Sequence, residues 1–334
     1  MQQPTYDEQI TMKNEMKLRE LCAGLPAFCK EFFRGIEPTT SSRTRIAYAY
    51  DLKIFFHFLQ EKYPNIEESD LQNWPVTVLD KVTLTQLEEY LDYLRLYEDA
   101  ENKVHTNEER GRMRKTASIR TFYKFFYRKQ VIKNNTASLL NLPKKHEHAI
   151  VRLEIDEIAK LLDAVEEGYN LTKSQKKYHN KTKIRDLAIL TLLLGTGIRV
   201  SECVGIDISN LDFETNGMKI HRKGGADVIL YFGEEVREAL LDYLEEREKI
   251  IPKEGSEDAL FLSMQKRRIS VRAVENLVKK YARPVTPLKT ITPHKLRSTY
   301  GTQLYQETGD IYLVADVLGH KDVNTTRKHY AAME

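Results

Sequence analysis

Cysteine is scarce in this chain, with only Cys22, Cys29 and Cys203 among 334 residues. They form no metal-spaced cluster, and any disulfide pairing leaves one over, which excludes a disulfide scaffold and fits a reducing cytoplasm. Long apolar runs are also missing: nothing approaches the roughly 18–20 residues that cross a bilayer. The opening residues MQQPTYDEQITMKNEMKLRE are acidic and polar and lack the basic-then-apolar order of a secretory signal. No internal repeat and no low-complexity segment stands out. Charge of one sign is nearly absent as an excess, since 52 basic and 49 acidic residues leave a net +3. Overall basicity therefore does not announce a nucleic-acid partner, and clustering has to be considered instead.

Basic residues gather in RGRMRK at 110–115, in KSQKKYHNKTK at 173–183 and in KRR at 266–268, while acidic ones gather at 88–92 and 245–248. Such runs permit DNA binding, and solvated helix faces are the plainer alternative. A hydrophobic content of 41% over this length suffices for two domains with separate cores.

Ile46, Tyr50, Ile54 and Phe58 recur every four residues within 43–62, with Phe55 and Leu59 beside them, an amphipathic helix with a wide apolar face. Thr83–Leu96 predicts a second helix and Arg114–Arg128 a third, with Ile119, Phe122, Tyr123 and Phe126 inward and Arg114, Lys115, Arg120 and Lys124 elsewhere. An earlier helix through Met16–Phe33 is interrupted near Gly24 and Pro26. The first 140 or so residues thus read as all-helical, and the aromatic runs FFHF and FYKFFY, at helical spacing, read as core. Pro143-Lys-Lys-His-Glu-His148 is a linker candidate. Beyond it a helix starts near Glu154, a lysine-rich loop follows, and Asp186–Gly195 is a strongly apolar helix. Residues 206–232 read as short antiparallel strands around Gly-Gly-Ala. Helices are expected again over 234–250, 270–281, 293–308 and 311–318.

Chemistry-bearing residues concentrate near the end. Thr292-Pro293 is a helix start, with an N-cap threonine and proline in the first position. His294 and Arg297 lie one turn apart at that helix N-terminus, where anions are favoured, and the arginine fork can hold two phosphate oxygens. His-x-x-Arg alone is a weak signal. Arg199 in GTGIRVSE follows the apolar helix, which implies a paired or ligand-facing charge. Glu202, three residues on, is placed either to pair with it or to orient a histidine. Lys223 sits at the hairpin tip, within reach of a leaving oxygen if it is not simply solvated. His320 follows a glycine. Tyr330 is a phenol whose ordinary pKa, about 10, makes it a nucleophile only among cations. Two arginines and two histidines can stabilise a phosphoryl transfer without a cofactor or metal, and no carboxylate cluster suited to Mg²⁺ is evident.

In this order, GTGIRVSE (195–202), RKGG (222–225), TPHKLRSTYGTQL (292–304) and LGHKDVNTTRKHY (318–330) resemble the tyrosine recombinase (phage integrase) family, particularly its Xer-like members. Thr44–Leu59 and residues 119–144 also resemble the helices that open and close that family's core-binding domain, so the likeness runs from about residue 15 to the end. It implies a mainly α fold: an all-helical core-binding (SAM-like) domain at 1–142, a linker at 143–151, and a mostly helical α+β catalytic domain with a small antiparallel sheet at 152–334. It assigns Tyr330 as the nucleophile forming a 3′-phosphotyrosine. Arg199 and Arg297 become the phosphate clamp, His320 a further donor, His294 an aid to proton transfer, Lys223 the general acid and Glu202 a support. It implies double-stranded DNA as partner, a dimer on each site, a tetramer on two sites, a Holliday junction intermediate and a C-shaped clamp of the two domains around the duplex. Arg43, Arg45, Arg112, Arg114, Lys115, Arg120, Lys266, Arg267 and Arg268 are the expected DNA contacts.

Three departures accompany the likeness. Ser298 stands where many relatives have histidine, His320 and Tyr330 are ten apart, and only Ala331–Glu334 follow the tyrosine where relatives carry a helix that docks on a neighbour. The short segment before Thr44 favours Xer-like chromosome-dimer resolution over a mobile-element integrase with an arm-binding domain. A type IB topoisomerase and a catalytically silent accessory protein are the remaining alternatives.

Overall fold

The computed structural model describes residues 4–99, 101–141, 151–222, 225–320, 323 and 326. The chain divides into two compact units, residues 1–147 and 148–334. The expected linker, apart from residue 151, lies outside the described residues.

The first unit opens with α1 (Tyr6–Ala23), started by a capping box in which Thr5 accepts the Glu8 N–H at 3.3 Å and Glu8 accepts that of Thr5 at 2.8 Å. Then come α2 (Cys29–Ile36), α3 (Ser42–Lys62), the single turn α4 (Val78–Lys81), α5 (Leu84–Tyr93) and α6 (Glu109–Arg128). The aromatic runs are core, as expected. Phe55, Phe56, Phe58, Phe122 and Phe126 are buried together with Phe32, and the rings meet edge to face, Phe32–Phe122 at 5.0 Å and Phe122–Phe126 at 5.2 Å.

Three details differ from expectation. On α3 the expected Phe55, Phe58 and Leu59 are buried and are joined by Leu52 and Phe56, while Tyr50, expected among them, is exposed. The second helix ends at Tyr93, because the chain turns into a hairpin, β1 (Leu96–Glu98) with β2 (Val104–Thr106), in which Tyr97 pairs with His105. Their rings stack at 5.2 Å, and Asp99 accepts the N–H groups of Glu101 and Lys103 at 2.9 and 3.0 Å. Lys115 is buried, donating to Asn107 Oδ1 at 2.8 Å. The unit is therefore helical apart from one hairpin that its polar sequence did not announce.

In the second unit α7 (Ile155–Glu167) leads to α8 (Lys173–Thr196). The expected lysine-rich loop is in fact the first half of α8. Thr172 and Gln175 form a capping box there, and buried His179 donates to the Val165 carbonyl at 2.6 Å. The second half buries Ala188, Ile189, Leu190, Leu192 and Leu193 completely. After α9 (Val200–Gly205) come β3 (Leu211–Asp212), β4 (Gly217–His221) and β5 (Asp227–Tyr231), an antiparallel sheet in that order, with Lys219 opposite Ile229. Among the described residues these helices follow: α10 (Glu234–Glu248), α11 (Val271–Val285), α12 (Pro293–Thr308) and α13 (Ile311–Leu318). α7, α10 and α12 pack against α8. No described helix is long and apolar enough to cross a membrane.

Candidate active site

Four chain segments meet at one end of the second unit. α8 ends at Gly197, which adopts φ +63°, and an added Cβ there would strike the Tyr300 ring and come 3.0 Å from Leu318. This left-handed turn delivers Arg199 to the start of α9. Glu202 accepts its backbone N–H at 2.8 Å and its Nη1 at 2.7 Å. Glu202 is almost fully buried, whereas the Arg199 side chain stays about one-third exposed. Of the two arrangements the sequence left open for Glu202, pairing with Arg199 is therefore present. Among the described residues, the Arg199 guanidinium donates to Glu202 and to the Gly319 carbonyl at 3.3 Å.

The C-terminal end of α13 organises the remaining cations. The last carbonyls of a helix lack partners within it and carry the negative end of its dipole. Here three arginines from different segments take four consecutive carbonyls. Arg222, at the end of β4, donates to Asp316 O at 3.2 Å and to Val317 O at 2.5 Å. Arg297, buried on the first turns of α12, donates to Leu318 O and to Gly197 O, the latter at 2.6 Å. Arg199 takes Gly319 O. Gly319 again has φ +63°, and the Arg222 guanidinium lies where its Cβ would be. His320 follows directly, its N–H on Ala315 O at 2.9 Å and its Nδ1 2.7 Å from Thr326 Oγ1.

Burial first, and then the neighbouring Arg199, lower the pKa of Arg222 against the opposing pull of Glu202 and Asp316. Among the described residues, three guanidiniums outnumber the two neighbouring carboxylates, Glu202 and Asp316, and form a cationic cluster suited to an anion, held mainly by backbone carbonyls.

His294 is exposed on the first turn of α12, where Thr292 caps the helix through the Lys295 N–H at 3.4 Å and Pro293 occupies the first position. The structure thus brings together Arg199, Glu202, Arg297 and the segment ending in His320. Lys223 and Tyr330 lie outside the described residues. Tyr300 packs beside Gly197, and burial and then Glu307 raise its phenol pKa. Arg222 was missed from sequence. Its only signal was adjacency to Lys223, because nothing local reveals a contact with residues some 95 positions away.

The expected DNA contacts divide. Arg43, Lys266 and Arg267 are exposed, and Arg112 and Arg120 are half-buried. Arg114 is partly exposed but forks onto the buried Asp51 at 2.6 and 2.7 Å. Arg45, Lys115 and Arg268 have partners within the protein. Arg45 is buried and bound to the Glu15 carboxylate and to Thr40 O at 2.9 Å. Lys115 serves Asn107. Arg268 holds Asp207 and, at 3.0 Å each, the carbonyls of Val204 and Ile206. A cation so engaged ties loops together, and exposing it to a phosphate would strand those acceptors.

A helical fold with a small antiparallel sheet and an arginine-gripped helix end defines the class. Residues 151–334 match the phage integrase family, and the chain belongs to it. It is a tyrosine recombinase, an enzyme that cleaves and rejoins DNA strands. Among its relatives, tyrosine recombinase XerC of Caldanaerobacter subterraneus subsp. tengcongensis is 34% identical over 86% of this chain and 77% of its own. XerC of Natranaerobius thermophilus is 31% identical over 89% and 90%. Among solved structures, XerH recombinase bound to difH in a pre-cleavage complex shares the fold with a TM-score of 0.63, at 17% identity over 98% of this chain and 94% of that one.

Proposed function

We propose that this chain is an Xer-like site-specific recombinase that resolves chromosome dimers, with Tyr330 as nucleophile. The observation that carries the reading is the α13 terminus, where Arg199 and Arg297 are fixed beside the segment of His320. In the reaction the Tyr330 oxygen attacks the scissile phosphorus while Arg199, Arg297 and His320 hold the non-bridging oxygens. His294 takes part in removing the phenolic proton. The bond from phosphorus to the 5′-oxygen breaks, and Lys223 gives that oxygen its proton. A 5′-hydroxyl of the partner strand then reverses these steps on the 3′-phosphotyrosine. Energy is conserved in the ester, so no cofactor is required. Double-stranded DNA is the substrate, with a dimer on each site and a tetramer across two. The relatives named XerC and the three buried free cysteines support this reading and a cytoplasmic setting. Arg43, Lys266 and Arg267 are the exposed cations we assign to the DNA backbone.

The test begins by letting the protein select its site from random-sequence duplexes. A nicked version of the selected site, from which the cleaved end diffuses away, should trap a covalent protein–DNA adduct. Tyr330→Phe should reduce that adduct to background while leaving DNA retention unchanged. An adduct of wild-type yield in the variant rules out Tyr330, and relaxation of any supercoiled plasmid without site preference points to a topoisomerase instead.

A further inference from the structure

Asp51 on α3 has no exposed surface, yet it serves an arginine on the outside of the first unit. Arg114 of α6 meets it with both ends of its fork, Nη1 on Oδ2 at 2.6 Å and Nη2 on Oδ1 at 2.7 Å, and the Ser118 hydroxyl adds a third donor at 2.9 Å. The Arg114 side chain remains 47% exposed. The buried Lys115 next to it gives its Nζ to Asn107 Oδ1 at 2.8 Å instead, so the carboxylate faces the cation that reaches solvent. A long cationic side chain on a helix surface ordinarily samples many rotamers, and this one is held in a single one. Among the described residues its Nε–H and the second hydrogens of Nη1 and Nη2 have no partner, which leaves a forked edge of the guanidinium for a ligand.

The surroundings of Arg114 suit a polyanion. Arg110, Arg114, Ala117, Thr121, Lys124 and Arg128 follow one another at intervals of three or four residues, a single stripe along α6, and all are exposed or half-buried. The stripe holds cations and no carboxylate, and the small side chains at its middle let another surface approach closely. The major groove of DNA admits an α-helix between its phosphate rims, and guanine presents O6 and N7 there as paired acceptors that a guanidinium edge matches.

We propose that Asp51 is a positioning residue for sequence recognition: from inside the first unit it fixes Arg114 so that the remaining edge of the guanidinium reads a guanine in the major groove of the recombination site. The proposal rests on the reading of this chain as a site-specific DNA recombinase. The physical gain is preorganisation, because the rotamer freedom of the arginine is lost on folding rather than on binding. Lysine at 114 keeps a charge for a phosphate but lacks the fork that distinguishes one base from another.

The full chain selects its site from random-sequence duplexes, and affinity is then measured for every single-base-pair variant of that site at two salt concentrations. Wild type, Arg114→Ala, Arg114→Lys, Asp51→Asn, Ser118→Ala and the double variant Asp51→Asn/Arg114→Ala are compared. Wild type should disfavour replacement of one G·C pair by roughly 5- to 150-fold. Arg114→Lys should abolish that preference and leave the other positions as they were. Asp51→Asn should weaken it at the same pair, with binding to random-sequence DNA within about threefold of wild type, since phosphate contacts supply that binding. In the Arg114→Ala background Asp51→Asn should change nothing further at that pair, because the two act as one unit. Ser118→Ala removes only the third donor to Asp51, so it should show a smaller loss at the same pair, and it decides the matter if Asp51→Asn does not fold. A loss spread evenly over all positions, or a changed salt dependence with base preferences intact, overturns the proposal. So does an intact preference at that pair in Arg114→Lys, in Asp51→Asn, or in Ser118→Ala where it has to decide. If wild type selects no site at all, the recombinase reading has failed and takes the proposal with it.

Discussion

Gly319 shows how much a single residue can determine here. Its left-handed φ of +63° ends α13, and the space over its α-carbon is filled by the Arg222 guanidinium. Alanine there meets backbone strain and a displaced arginine together. Gly319→Ala should lower stability by about 1–3 kcal/mol, read from urea denaturation, and should impair cleavage more than DNA retention. A variant as stable as wild type would show that the guanidinium does not occupy that space. Sequence displayed the glycine, since Leu-Gly-His is a helix stop followed by a polar residue. It did not display why a larger residue fails, because Arg222 lies almost a hundred positions upstream. His294, Arg297 and His320 were legible as candidates from residue type and spacing alone. The clamp contacts of Arg297 were not, since both of its carbonyl partners come from other segments.

At the scale of elements, most helices could be read from apolar periodicity, and the failures have specific causes. The lysine-rich start of α8 was taken for a loop because its exposed face is entirely polar, yet a Thr-x-x-Gln capping box and buried His179 make it helical. The β1–β2 hairpin escaped notice because its strands are three residues each and lie between polar segments. α8, which leads to Arg199, and α11 are joined through Asp186, fully buried on α8. It accepts from Arg185, from Lys280 at 3.0 Å and from the Tyr281 hydroxyl at 3.0 Å, both of the latter on α11. Removing a buried charge strands its partners. Asp186→Ala should therefore cost about 2–4 kcal/mol, at the lower end because both cations reach solvent in part. The loss should appear in urea titration, with Asp186→Asn less damaged. Because α8 ends at Gly197 and Arg199, the same variant should also lose cleavage at temperatures where it is still folded.

At the scale of the whole molecule, each unit contains its own core. Among the described residues, the buried cluster of the first unit runs from Leu18 to Leu140. A fragment ending at residue 147 should accordingly unfold in a single cooperative urea transition, with tyrosine and tryptophan fluorescence and far-UV circular dichroism coinciding. A broad, non-cooperative melt would mean that the first unit depends on the second.

The sequence by itself determined the two mainly helical units, the aromatic core of the first, the buried apolar half of helix α8 and the residue types needed for phosphoryl transfer. These follow from local periodicity, caps and spacing, which the chain carries without reference to distant segments. Only the tertiary structure decided which acceptors each cation meets, setting Arg199 and Arg297 on carbonyls at the α13 end and Arg45, Lys115 and Arg268 on partners elsewhere in the fold. It alone also showed that one helix end, through four consecutive carbonyls, gathers three arginines from three places in the chain. The reason is physical: a guanidinium has five donors and no preference written in its neighbours, so its role is set by whichever acceptors the fold places within reach.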